Sequence, residues 1–182
     1  QSAAVAAVRG GKVRYTPAEG TASLRKAIAQ HPTDTRGIAF TPAEITVCHS
    51  AKHALSGACL TLIEPGDEVL VLLPAWVSYV EIIRFAGGVP VEVPSRPDLG
   101  PDVARIAAAI TKKTKGLLIN SPCNPSGYVM TAAEVRALSE LAEKHDLWIV
   151  SDEIYRRLVY EGEPNLSPAQ VSERVRARTV IV

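Results

Sequence analysis

Short apolar runs of strand length recur along this chain, each set beside a stretch with helical spacing, and that alternation limits the possible fold more than any other feature. The runs cover residues 44–47, 68–73, 89–93, 115–119, 147–151 and 179–182. Helical patterns fill 51–63, 76–86, 102–110 and 131–145, with a helical turn at 153–158. Strands and helices alternating at this interval predict βαβ units, hence an α/β fold with a mostly parallel sheet covered by helices on both faces, three layers in all. Upstream, residues 1–11 read as the end of a helix broken at Gly10-Gly11, and 14–20 as a loop. Thr21 opens a helix with Leu24, Ala27 and Ile28 on one face, and 31–42 form a polar connection. The division expected is an N-terminal helix-and-loop segment at 1–40 and an alternating core at 41–182. Because the last run stops in mid-sheet with no closing helix, the chain reads as part of a longer protein.

Local punctuation supports several of these assignments. Thr131-x-x-Glu134 is a capping box. Behind it, Val135, Leu138, Leu141 and Ala142 share one face, while Glu140 and Lys144 are spaced to pair on the other. Pro65-Gly66-Asp67 ends one helix and Gly87-Gly88 another.

Charge and cysteine content exclude some functions. Lys and Arg number 20 against 19 Asp and Glu, a net charge of +1 that offers no electrostatic case for nucleic acid or an anionic membrane. The clusters Lys112-Lys113-Lys115 and Arg174-Arg176-Arg178 read as solvated surface. Cys48, Cys59 and Cys123 form no C-x-x-C and fit reduced thiols. With no apolar run long enough to span a bilayer and no signal-peptide pattern, the expected location is cytoplasmic. Phosphate-loop, dinucleotide, nucleophile-elbow and zinc-protease motifs are absent. His49 and His53 lack a third ligand nearby, so no metal site is expected.

Chemistry concentrates at strand ends, where ligands of open α/β sheets bind. Leu147-Trp148-Ile149-Val150 stops at Ser151-Asp152-Glu153, placing Asp152 where a buried carboxylate can meet a cationic ligand group; a plain helix cap is the other reading. Ser50-Ala51-Lys52 opens a helix whose free N–H groups suit a phosphate, or Ser50 simply caps it. Trp76, at a strand-to-helix junction, can lie over a planar ring or pack in the core. Asn124 stands in the loop Asn120-Ser121-Pro122-Cys123-Asn124-Pro125-Ser126-Gly127, whose prolines and glycine are explained by turn chemistry alone; the Asn is not.

That loop, followed by Asp152-Glu153-Ile154-Tyr155, resembles the class I/II aminotransferases, pyridoxal-phosphate enzymes of fold type I. The resemblance extends to Tyr15-Thr16-Pro17-x-x-Gly20-x-x-x-Leu24-Arg25, Pro65-Gly66-Asp67-Glu68-Val69 and Trp76-Val77-Ser78-Tyr79, the last closest to the aspartate/aromatic branch. It implies a cofactor-binding large domain that is incomplete here, the small substrate-closing domain being absent. By resemblance, Asp152 holds the pyridine nitrogen protonated, Tyr155 and Asn124 hydrogen-bond the phenolic oxygen, and Asn124 also lies beside the substrate carboxylate. Trp76 stacks on the ring, and Ser50, Ala51 and Lys52 bind the phosphate. Tyr15 reaches a neighbouring subunit's phosphate, implying a homodimer.

The resemblance implies transfer of an amino group between an amino acid and a 2-oxo acid. Its alternatives are a carbon–sulfur lyase of the same fold and a non-catalytic sensor domain of a transcription regulator. Ser50 departs from the glycine frequent in the family. The Schiff-base lysine is expected beyond 179–182, and Lys12, Lys26, Lys52, Lys112, Lys113, Lys115 and Lys144 do not occupy that place. Turnover by these 182 residues alone is therefore not expected.

Overall fold

The computed structural model describes residues 2–11, 15–162 and 165–182, with only the backbone of Thr33. Gln1, Lys12 and Arg14, which the sequence reading included, lie outside the described residues. Two compact units are present, Gln1–Cys48 and His49–Val182.

The second unit is a five-stranded parallel sheet in the order β2-β1-β3-β4-β5. Its elements are α3 (Ala51–Leu62), β1 (Glu68–Leu73), α4 (Ser78–Phe85), β2 (Val89–Pro94), α5 (Val103–Ala109), β3 (Thr114–Asn120), α6 (Ala132–Lys144), β4 (Trp148–Asp152), α7 (Glu173–Arg176) and β5 (Thr179–Ile181). Successive strand residues point to opposite faces, and the two cores divide accordingly. Leu70, Leu117, Ile119 and Ile149 pack with Ile106 of α5, Val135 and Leu138 of α6, and Val175 of α7. Val69, Val71, Leu118 and Val150 pack with Leu55 and Cys59 of α3 and Tyr79 and Ile83 of α4. A sheet buried on both faces explains the near-continuous apolar strands, and the three-layer α/β architecture stands. Among the described residues no helix is long and apolar enough to cross a membrane.

After β1 the chain adds β2 on one side and then returns to place β3 on the other. The strand order therefore reverses between β1 and β3, and their carboxyl ends open the crevice where α/β sheets bind ligands. In register, Asn120 ends β3 beside Asp152, which ends β4.

The first unit holds α1 (Ser2–Arg9) and α2 (Ala22–Arg36). It departs from expectation twice. Residues 31–36 continue α2 through Pro32 instead of forming a connection, with Gln30 Nε2 donating to Asp34 Oδ1 (2.7 Å) and Thr35 Oγ1 to the His31 carbonyl (2.7 Å) across the proline. Residues 44–47 are not a strand. Pro42–Glu44 is a 3₁₀ turn with a Thr41/Glu44 capping box, and Ile45 is extended (φ −110°, ψ 128°) but without a ladder partner among the described residues. β-Propensity was present there; a strand also needs a neighbour to pair with.

The arginine group was also misread in part. Arg174 pairs with Glu143 (3.2 Å) and Arg176 with Glu173 (3.1 Å). Arg178 is largely covered, pairing with Asp146 (2.8 Å) and donating to the Leu147 carbonyl.

Candidate active site

Asp152 is the natural starting point because its carboxylate is 3% exposed. Its Oδ2 accepts the Tyr79 hydroxyl (2.7 Å), and its Oδ1 accepts the Ile154 N–H (3.2 Å). Both donors are neutral, and no ion pair involves Asp152 among the described residues. A carboxylate buried without a cation is costly in a folded chain unless something else supplies the positive charge.

Tyr79 carries this carboxylate across to Trp76. Its ring meets the indole edge-on, centroids 5.4 Å apart at 85°, and its backbone N–H donates to the Trp76 carbonyl (3.1 Å). Lys52 Nζ lies 4.9 Å from the Trp76 ring centroid, a cation–π distance. Lys52 belongs to the first turn of α3, capped by Ser50, whose Oγ accepts the His53 N–H (3.3 Å). Helix geometry leaves the backbone N–H groups of Ala51 and Lys52 without intrahelical acceptors. The His49 N–H donates to His53 Nδ1 (3.3 Å), and the two rings stack 5.6 Å apart.

Asn124 connects to the same carboxylate end through Asn120. The Asn124 N–H donates to Asn120 Oδ1 (2.7 Å), and Asn120 Nδ2 donates to the Asp152 carbonyl (3.0 Å). The Cys123 N–H closes the loop onto the Tyr128 carbonyl (2.9 Å), and Cys123 Sγ donates to the Pro74 carbonyl (3.3 Å). Asn165 grips Ser121 twice, accepting its hydroxyl (2.8 Å) and donating to its carbonyl (2.7 Å). Asn124 and Tyr155 then line one open cleft of about 610 Å³ with Pro122, Val129, Leu158 and Tyr160.

Lys52, Trp76 and Asp152 thus form one linked group with Tyr79. Ser50 and Ala51 adjoin it at the start of α3, while Asn124 and Tyr155 share another cleft, Asn124 being tied to Asp152 through Asn120. Tyr15 belongs to the other unit and is fully exposed. Sequence reasoning missed Tyr79, Asn120 and Asn165. Tyr79 was in view, three residues after Trp76 at the start of a helix, but nothing in one dimension showed that it meets Asp152.

The family model described as aminotransferase class I and II matches residues 2–182. The chain belongs to that family. A probable aspartate/prephenate aminotransferase of Thermus aquaticus is 49% identical over 154 residues, 84% of this chain and 40% of its own length. The aspartate aminotransferase of Bacillus subtilis is 41% identical, covering 99% of this chain and 46% of its own. Among solved structures, the aspartate aminotransferase from Thermus thermophilus with maleate superposes with a TM-score of 0.92 at 44% identity, over 99% of this chain and 47% of that one. N-succinyldiaminopimelate aminotransferase from Mycobacterium tuberculosis also reaches 0.92, at 36% identity over 99% and 48%. The chain spans about half the length of the relatives it matches. Because proteins named for different substrates share its fold equally well, fold alone selects none of them.

Proposed function

We propose that the protein containing this chain is a pyridoxal-phosphate-dependent aminotransferase, moving an amino group from an amino acid to a 2-oxo acid. The observation that carries this reading is the Asp152 carboxylate, buried at a strand end with neutral donors only. A protonated pyridine nitrogen is the kind of cation that completes it, so the residues present fit the cofactor. When bound, pyridoxal phosphate supplies an electron sink for the charge left as an amino acid loses its α-proton.

The chain's own residues divide the work of holding that group. Asp152 keeps the proton on the ring nitrogen, which strengthens the sink. The Ser50 hydroxyl and the Ala51 and Lys52 N–H groups bind the phosphate at the positive end of α3. Trp76 covers the ring face and keeps water from it. Asn124 and Tyr155 donate to the phenolic oxygen from the cleft they share, and Asn124 also orients the substrate carboxylate. Tyr15 is exposed and so available to a second copy's phosphate, which supports a homodimer.

Relatives named for aspartate make it the first amino donor to try. Free thiols, none in a disulfide, support a cytoplasmic location. The test uses the full-length protein, incubated with pyridoxal phosphate, aspartate and a series of 2-oxo acids. Visible absorbance of the bound cofactor and appearance of the new amino acid are expected. Asp152→Ala should weaken cofactor binding by roughly 10- to 100-fold, the weight of a hydrogen bond to a charged group. A protein that takes up no cofactor, or transfers no amine from any donor, refutes the proposal.

A further inference from the structure

Tyr79 stands in one of the motifs that carry the family resemblance but is given no role there, yet it touches two of the groups on which the proposed function depends. Its side chain is 1% exposed, and a buried phenol ordinarily finds a partner for its O–H. Here the partner is a carboxylate, at 2.7 Å. Burial first, and the Asp152 carboxylate second, push the phenol's pKa well above its ordinary value, so the hydroxyl stays a neutral donor throughout the working range. The side chain also lines a small space of about 20 Å³ with Asn120 and Cys123.

Asp152 is thus held by one donor on each oxygen, a side chain from α4 on Oδ2 and a backbone N–H on Oδ1. The backbone bond comes with the turn at Ile154. The phenol is the element of this arrangement that a single substitution removes without disturbing the fold's outline. We propose that Tyr79 is a positioning residue for the nitrogen end of the cofactor. Its hydroxyl fixes the Asp152 carboxylate at the place where it meets the ring N–H, while its ring braces Trp76 edge-on. The inference rests on the cofactor reading above and adds to it a residue that touches neither cofactor nor substrate.

A packing role alone would be served equally by phenylalanine, so Tyr79→Phe separates the two. The apo form of the full-length protein is titrated calorimetrically with pyridoxamine phosphate, which binds without a covalent link. The same ligand, isotopically labelled at the ring nitrogen, reports that atom's protonation by NMR. Three proteins are compared: the unaltered one, Tyr79→Phe and Asp152→Asn.

Tyr79→Phe is expected to bind about tenfold more weakly, as for the loss of one hydrogen bond to a charged group, and to move the ring-nitrogen resonance part of the way toward its Asp152→Asn position. Binding and resonance identical to those of the unaltered protein overturn the proposal while leaving the cofactor reading intact. If the unaltered protein fails to bind, or Asp152→Asn binds as well as it does, the cofactor reading itself fails. Should Tyr79→Phe not fold, fluorotyrosine at the same position keeps the shape with a stronger donor. With the carboxylate still in place, the stronger donor draws more charge from it, so the resonance should move toward the Asp152→Asn position, and no movement overturns the proposal.

Discussion

Gly116 on β3 stands opposite Trp148 on β4, and the indole lies across it so closely that a Cβ there would overlap the six-membered ring. Neither neighbouring strand can yield in the middle of a sheet packed on both faces. Gly116→Ala should therefore destabilise the chain by about 1–3 kcal/mol through overpacking, measured by urea unfolding; an unchanged midpoint would show that the indole moves freely. Cys59 makes the opposite point, that a reactive group can be silenced by its surroundings. It lies in the core between α3 and the sheet, 1% exposed, and burial pushes its thiol up to about 11. Under native conditions an alkylating agent should modify the half-buried Cys48 and Cys123 well before Cys59, followed by mass spectrometry of the peptides. Early labelling of Cys59 would contradict the packing. The sequence predicted reduced thiols for all three, and their different exposure belongs to the fold.

At the scale of elements, α6 shows how a local signal and a distant one combine. The Thr131/Glu134 capping box was readable from spacing, and both halves form. Glu134 has further partners that spacing could not reveal: its Oε1 accepts Arg96 Nη2 (2.7 Å), from the loop after β2, and the Tyr128 hydroxyl (3.0 Å). Burial alone would raise its pKa, but the Thr131 N–H, Arg96, and the Thr131 and Tyr128 hydroxyls outweigh it and hold the carboxyl below its ordinary value. A depressed carboxyl adds stability that is complete above its unfolded value, about 4.3, and is lost as pH falls through the folded one. Glu134→Gln should therefore lower stability at pH 7 by roughly 1–3 kcal/mol, the scale of charged hydrogen bonds. The gap to the unaltered chain should close on acidification below about 4. Melting curves across that range check it, and a gap that stays constant would exclude the ionised carboxylate as its cause. The misassigned strand at 44–47 teaches the complementary lesson. Thr41-Pro42-Ala43-Glu44 is itself a capping signature, and it wins the first residue of the run for a 3₁₀ turn.

Across the whole molecule, protection should follow burial. The central strands β3 and β4 are almost wholly buried, whereas α1 has no buried residue. Amide hydrogen exchange of the 182-residue chain should be slowest in β3 and β4 and fastest in α1. Equal protection of α1 would mean that its exposed face is covered in solution.

The α/β class, the five ladder-forming strands and the candidates Asp152, Asn124, Trp76 and Lys52 were all legible from residue order. Apolar periodicity and turn residues act over a few positions, and that is the range a linear reading resolves. Tertiary structure decided which strand ends stand side by side and where the strand order reverses. It also decided that a tyrosine 73 residues from Asp152 would supply that carboxylate's buried donor. Such pairings are set by how the layers pack, a property of the whole chain that no single stretch of it encodes.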